Sequence, residues 1–437
     1  MTNSIRRLQP GGTVKVQKAM DVSGLRRFSL QRLDGESAAV QISSGRCQIG
    51  SHNLNDLVID HPSVSRFHCE VGIDANGAWL KDVGSSNGTE VDGVGAREVL
   101  LRDGSLIKLA ESVTLSFQLL AEKSDLPLSR KDEFGVLIGG SPVMRACFAQ
   151  LERAAETSRP LLIEGETGTG KSVAAEQIHA NSARKLQPFI TIDCASLSAE
   201  ALEEALFGID NQRLSAFEEA GFGTLFLEEV GELSPKLQGR LMPVLEKGEL
   251  RRTNSTATVA VRARLIASTR KDLRQLVNHN KFRTELYFRL AVVRTVMPPL
   301  RQRLEDIPDL VEVFLRQAGA TEEEAKVLRS DEFLRRLQLG SWPGNVRELF
   351  NHVERCMLMQ SPLTPHEMVR EGLPPRVDAK RSYAEGRRVA LEQFEREYVE
   401  ALLKAHTGKI SEAARAAGMD RAYLHRLVRR HGLKSKG

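Results

Sequence analysis

The sequence predicts a multidomain chain: an N-terminal β-sandwich, a central parallel α/β domain and an all-α C-terminal part. Three observations carry this. From about Arg27 to Leu120, short β-rich runs (RFSLQRL, AVQISSG, HCEVGI, AWLKDV, SLIKL, VTLSFQLL) recur between Gly, Asn and Asp turns at a spacing of roughly 8 to 12 residues, the pattern of a sandwich. After the polar stretch AEKSDLPLSRKDE, short apolar strands (PLLIE, FITID, GTLFLEEV, ARLIAST) alternate with segments of helical period, which implies a parallel sheet with crossover helices. Past the proline-bearing break SPLTPHEMVREGLPPRVDAKRS the periodicity is purely helical.

Length and composition agree with that division. At roughly 150 residues per domain, 437 residues make about three folded parts. The 41% hydrophobic and 27% charged content excludes a disordered, collagen-like or mainly coiled-coil chain. No apolar run approaches the roughly 18 residues that span a bilayer, and MTNSIRRLQPGG lacks the apolar stretch of a secretory signal. A cytoplasmic protein with no membrane partner is expected. Cys47, Cys69, Cys147, Cys194 and Cys356 form no CxxC pair and read as reduced core residues. The net charge of +5 is unevenly placed: residues 376–437 hold 15 Lys/Arg against 8 Asp/Glu, so a polyanionic partner is expected at the tail.

In the central part, residues 165–172 read GETGTGKS between the strand LLIE and the helix-forming VAAEQIHA, a phosphate-binding loop in its required strand-loop-helix context. Backbone N–H groups of Gly165, Glu166, Thr167, Gly168, Thr169 and Gly170 would surround phosphate, with the helix N-terminus behind them. Lys171 would reach the β and γ phosphates of ATP, and the Ser172 hydroxyl would ligate Mg²⁺. The strand GTLFLEEV ends in Glu228, on the metal side, and Glu229, placed to polarise the attacking water. Glu228 stands where such strands place Asp, and its extra methylene moves the carboxylate by about 1.5 Å, a displacement that weakens hydrolysis more than binding.

Residues from about 134 to 370 resemble the AAA+ domain of bacterial sigma-54-dependent activators, through GETGTGKS, GTLFLEEVGELSPKLQGRLMPVLEKGELRR, FRTELYFRLAVV, PPLRQRLEDIP and WPGNVRELFN in order. The resemblance implies an α/β nucleotide-binding subdomain over 134–300, a helical lid over 301–372, and assembly of copies from dimer to hexameric ring. It makes Arg283 and Arg289 the arginine fingers that reach a neighbouring subunit's ATP, and Arg347 the lid's sensor. Two departures stand out. The family's GAFTGA loop, which contacts the sigma factor, is absent from ALFGIDNQRLSAFEEAGFGTLFLEE, and Arg270 occupies the sensor-strand position that the family fills with Asn.

Residues 47–109 of the N-terminal part resemble a forkhead-associated (FHA) domain, through CQIGSHNLNDLVIDHPSVSRFHCEV, LKDVGSSNGTEVDG and LRDGSLIKL. The resemblance implies phosphothreonine recognition by a domain over 25–120, with Ser65 and Arg66 on phosphate or peptide, His68 bracing the loop, and Ser86 with Asn87 on the peptide backbone. Ser51 replaces the Arg that usually follows the first glycine, which removes one phosphate-pairing cation. A purely architectural sandwich is the alternative. The tail over 391–437 resembles a Fis-type helix-turn-helix: SEAARAAG, a turn at Gly418, and a second helix from about Asp420 to Arg430. Arg421, Tyr423 and Arg426 would face bases, and Arg429, Arg430 and Lys434 phosphates. Linkers are expected at 121–133 and 373–390.

The resulting expectation is a transcription regulator that binds promoter or enhancer DNA, takes ATP and Mg²⁺, and receives input from a phosphothreonine protein or a Ser/Thr kinase. It is an ATPase by resemblance, with hydrolysis weakened at Glu228 and Arg270. Remodelling of sigma-54 RNA polymerase conflicts with the missing loop. A nucleotide-dependent regulator or repressor, or a phosphothreonine adaptor on an AAA+ scaffold, therefore remains beside the activator reading.

Overall fold

In N-terminal runs such as RFSLQR and IKL apolar residues alternate with polar ones, so such a strand buries one face. A computed structural model describes residues 26–34, 39–42, 45–74, 77–123, 127–210 and 212–359, and in the tail 395, 398–399, 402–403, 406, 410–417, 419 and 421–430. The chain divides into two compact units, Met1–Pro362 and Leu363–Gly437.

Among the described residues, eleven strands build the sandwich: β1 (Arg26–Arg32), β2 (Val40–Ile42), β3 (Arg46–Gly50), β4 (Leu57–Val58), β5 (Cys69–Asp74), β6 (Gly77–Asp82), β7 (Thr89–Val91), β8 (Val94–Gly95), β9 (Glu98–Leu101), β10 (Leu106–Leu109) and β11 (Val113–Lys123). One sheet runs β2-β1-β11-β10-β7-β8 and the other β4-β3-β5-β6-β9. Phe28, Ile49, Val71, Leu80, Ile107 and Phe117 close the core between them. β11 runs into the expected linker at 121–133. From Ser129 the chain is already anchored on the first helix: Ser129 N donates to Arg145 O (2.9 Å) and its hydroxyl to Glu152 Oε1 (2.8 Å). These bonds leave only a short span of that segment as connection.

Two short strands, β12 (Glu133–Phe134) and β13 (Leu137–Ile138), precede α1 (Pro142–Glu156), which is capped by the Ser141 hydroxyl. The central sheet uses β14 (Leu161–Glu164), β15 (Phe189–Asp193), β16 (Thr224–Glu228), β19 (Arg264–Thr269) and β20 (Val293–Val296), ordered β15-β16-β19-β14-β20 with every pair parallel. β14 and β19 are buried along their whole length, as strands covered on both faces must be, and each carries a short apolar run, LLI and LIA. Between them lie α2 (Lys171–Ala180), α3 (Ala199–Phe207), α4 (Ala216–Ala220), α5 (Pro235–Lys247), the hairpin β17 (Glu249–Arg251) and β18 (Thr258–Ala260), α6 (Leu273–Asn278) and α7 (Thr284–Leu290). The lid adds α8 (Ile307–Gln317), α9 (Glu322–Leu328), α10 (Asp331–Gln338) and α11 (Asn345–Leu358). Phe314 and Phe350 meet edge-on at 5.2 Å in its core.

In the second unit, helices Ile410–Ala416 and Arg421–Arg430 pack around Val399, Leu403, Ala413, Ala414, Leu424 and Leu427. The expected linker at 373–390, the turn at Gly418, Asp420 and Lys434 lie outside the described residues. All five cysteines are buried and none is in a disulfide. Among the described residues, no helix is long and apolar enough to cross a membrane.

Candidate functional site

The carboxyl ends of parallel strands are where an open α/β sheet presents a ligand site, because the chain turns there from strand to helix. β14 delivers the loop 165–170, β16 delivers Glu228 and Glu229, and β19 delivers Thr269 and Arg270 to that edge. Lys171 is buried, and its ammonium donates to two carbonyls of its own loop, Gly165 O (2.9 Å) and Glu166 O (3.1 Å). Burial lowers its pKa against the raising influence of Glu229, whose Oε1 lies 3.7 Å away. The Ser172 hydroxyl donates directly to the Glu228 carboxylate.

Glu229 sits in the left-handed region (φ 51°) and accepts from Arg270 N (3.0 Å), with the Arg270 guanidinium at 3.9 Å. Arg270 also reaches Glu232 (3.5 Å). The carboxylate expected to polarise water is thus gripped by two cations.

The lid closes on the loop through contacts that sequence reasoning left unassigned. Arg301 forks onto Glu166 (2.7 and 2.6 Å) and holds its carboxyl below the usual range. Asn345, fully buried, donates to Glu166 Oε2 (3.1 Å) and Thr167 O (3.0 Å) and accepts from Leu300 N (2.8 Å). Arg303 donates to Thr169 O (3.3 Å), and Val346 N to Gly168 O (3.0 Å). Gly168 is at φ 79°, and a Cβ there would overlap the Gly344 carbonyl, so only glycine lets loop and lid approach this closely. Arg301, Arg303 and Asn345 all stand in quoted motifs; the missing signal was their partner. Arg347 is exposed beside this seam. Arg283, just before α7, and Arg289 within it are exposed, and Arg289 pairs with Glu246 (3.5 Å). Among the described residues neither bonds to 165–172.

At the sandwich's loop end, Ser51, Ser65, Ser86 and Asn87 come together. Ser51 N donates to Ser65 O (3.0 Å), Ser86 N to Ser65 Oγ (2.9 Å), and Asn87 Nδ2 to Ser63 O (2.8 Å). His68 braces them: Nδ1 accepts from Ser65 N (3.1 Å) and Nε2 meets Gly88 O (3.0 Å), while burial lowers its pKa and keeps it neutral.

In this structure the Arg66 guanidinium is turned away from this group. Its guanidinium donates to Thr284 Oγ1 (3.0 Å), Val277 O (3.2 Å) and Asn280 Oδ1 (2.9 Å) at the α6–α7 corner. The physical reason is that Phe67 next to it is buried in the core of the α/β domain, 5.3 Å from the Tyr287 ring, and carries the loop there. Asn278 Nδ2 caps Phe67 O (2.6 Å) and Val83 O (3.0 Å). Glu70 and Arg274 form a buried ion pair (2.8 Å) that Asp272 extends (2.7 Å). A cavity of about 240 Å³ beside this pair is lined by Arg46, Glu70, Trp79, Arg294 and Gly165, so the sandwich borders the start of the phosphate-binding loop.

In the tail, Arg426, Arg429 and Arg430 are exposed on the helix face opposite Leu424, Leu427 and Val428. Arg430 lies 3.5 Å from Glu395. The side chains of Arg421 and Tyr423 lie outside the described residues.

Three family models match the chain: the sigma-54 interaction domain over residues 137–296, the FHA domain over 47–110, and the AAA+ ATPase lid domain over 301–406. The transcriptional regulatory protein ZraR of Salmonella typhimurium is 37% identical over 344 residues, covering 76% of this chain and 76% of that protein. The Nif-specific regulatory protein of Azotobacter vinelandii is 40% identical over 249 residues, 54% of this chain and 48% of its own length. The crystal structure of NtrX from Brucella abortus in complex with ATP aligns at a TM-score of 0.51 and 34% identity, covering 69% of this chain and 71% of that one.

Proposed function

The chain belongs to the sigma-54-dependent transcriptional regulators, and on that premise we propose that it is an ATP-binding, DNA-binding regulator with a phosphothreonine-responsive FHA input and a Fis-type helix-turn-helix over 391–437. The carrying observation is the cluster of Lys171, Ser172, Glu228 and Glu229 under the lid. The residues fit a triphosphate: the first turn of α2 leaves N–H groups without intrahelical acceptors, and Lys171 spends its charge on loop carbonyls that a phosphate can replace. Hard oxygen donors on Ser172 and Glu228 fit Mg²⁺, which when bound neutralises charge on the β and γ phosphates. Arg301 and Asn345 hold the lid over the loop, Lys171 binds phosphate, and Glu229 orients water once Arg270 releases it. Arg283 and Arg289 serve a neighbouring copy in a homo-oligomer, and exposed Arg426, Arg429 and Arg430 suit a nucleic-acid backbone or base edge.

A specific observation favours a regulator that does not remodel sigma-54 polymerase. In the segment 208–223, GIDNQRLSAFEEAGFG, Ile209 is bridged to both Arg213 and Thr253, α4 follows, and Arg252 is pinned to Glu218. Among the described residues of this segment, no extended loop is offered to a sigma factor. Capture of sigma-54 by the purified chain with ATP and with a transition-state mimic tests this. Absence of a complex, alongside retained nucleotide and promoter binding, is expected; a nucleotide-dependent complex would restore the activator reading.

A further inference from the structure

Arg66 is the one cation of the SRFH loop, and it is already taken. All three acceptors of its guanidinium belong to the α6–α7 corner: Val277 O, Asn280 Oδ1 and Thr284 Oγ1, at 3.2, 2.9 and 3.0 Å. The other arginine expected at a phosphate-reading loop is replaced by Ser51. The groups that stand together at the exposed loop end are neutral: the Ser65 hydroxyl, which accepts from Ser86 N, the Ser86 hydroxyl, and the Asn87 amide, which donates to Ser63 O. A dianionic phosphate bound there would have hydroxyl and amide donors and no counter-charge, whereas charge-assisted bonds are about twice as strong as neutral ones.

The same guanidinium is anchored beside a second functional element. Thr284 is the first residue of α7 and directly follows Arg283, the arginine-finger candidate, whose backbone N–H is held by Gln238 Oε1 (2.8 Å). Around it the His52 ring stacks on Phe288 at 4.4 Å. The loop that would read a phosphopeptide and the corner that carries the arginine finger therefore share one side chain.

We infer that a phosphothreonine peptide and the α6–α7 corner compete for Arg66, so that the peptide binds the chain only by taking this guanidinium from Asn280 and Thr284. This rests on the phosphothreonine reading of the sandwich. Its consequence is reciprocal: whatever loosens the corner tightens the peptide, and the peptide in turn releases the helix start next to Arg283. The partner is thus a peptide whose phosphate is strong enough to outbid three hydrogen bonds, and binding is a signal to α7 rather than simple tethering.

The experiment uses the full chain and a fluorescein-labelled degenerate phosphothreonine nonapeptide pool, with the unphosphorylated pool as control, read by fluorescence anisotropy. Asn280→Gly with Thr284→Val removes two acceptors; glycine suits the left-handed backbone at 280 (φ 55°), so the corner keeps its shape. Affinity should rise about tenfold. Thr284→Glu sets a carboxylate against the guanidinium and should weaken binding by a similar factor, and Arg66→Gln should abolish it. Hydrogen exchange over α7 should rise when the pool binds wild type. Equal affinity in wild type, the Gly/Val pair and Thr284→Glu, or full binding by Arg66→Gln, would overturn the competition while leaving phosphothreonine recognition standing. No phosphate-dependent binding in any variant, the Gly/Val pair included, would instead remove the phosphothreonine reading itself and this inference with it.

Discussion

Replacing Glu70 by Gln tests whether the sandwich and the α/β domain are held together by a buried charge pair. The side chains of Glu70 and Arg274 are 4% and 3% exposed and lie 2.8 Å apart. Burial alone would raise the Glu70 carboxyl, but Arg274, with Arg294 and Arg46 beyond it, overrides burial and brings it from 4.5 down to about 2. At about 1.4 kcal/mol per unit, the shift corresponds to roughly 3 kcal/mol of docking stability. Glutamine keeps the shape and removes the charge, leaving Arg274 with Asp272 alone. Hydrogen exchange of the amides of β5 and α6 in the full chain at pH 7 should therefore quicken about a hundredfold. Because the folded value lies below the unfolded one, the contribution is complete above about pH 4.5 and is lost as pH falls through about 2. Wild type should lose interdomain protection across that window, and the variant should show no such step. Protection in Glu70→Gln within threefold of wild type, with an unchanged acid profile, would refute the reasoning.

Other expectations concern the nucleotide edge and the tail. Glu228→Asp withdraws the carboxylate from Ser172 and should raise ATP turnover at least about tenfold in a steady-state phosphate-release assay; an unchanged rate removes the role given to the extra methylene. Glu229→Gln should lower turnover by a hundredfold or more, on the scale of about 10²–10⁴ for general-base removal, while ATP affinity measured by calorimetry is retained. Asn345→Ala removes its two bonds to the loop and its bond from Leu300 N at a left-handed residue (φ 55°) and should cost about 3 kcal/mol, seen as a lower lid melting temperature and weaker ATP binding. Arg426→Ala should relax DNA sequence choice, whereas Arg429→Ala should weaken all DNA alike and lower the salt slope by about one; equal effects from both would remove the recognition-helix assignment.

The phosphate-binding loop was legible because its chemistry is local: strand, glycines, Lys171 and the start of the helix are contiguous in sequence, and β14 and β19 carry the short apolar runs LLI and LIA. Short sandwich strands such as Thr89–Val91 were not, since three residues carry no readable period. The docking of the two domains was invisible for a different reason. Glu70 and Arg274 are 204 positions apart, and an arginine in LRQLVN has the pattern of a solvated helix face. Phe67 lies inside the FHA-like motif SRFH, yet it is buried among residues of the α/β domain, a placement no local pattern announces. The lid contacts failed in the same way: Arg301 and Asn345 were in view, but a bidentate bond to Glu166 depends on a fold that brings position 301 to position 166.

The account depends most on a triphosphate seated against the loop that ends at Lys171. Equilibrium dialysis of radiolabelled ATP against the full chain, wild type and Lys171→Met, with sedimentation of the same samples, measures this directly. Saturable retention by wild type, its loss in the variant and a matching loss of ATP-dependent self-association are the predicted result. No retained ATP in wild type, with sedimentation identical in both proteins, would contradict it.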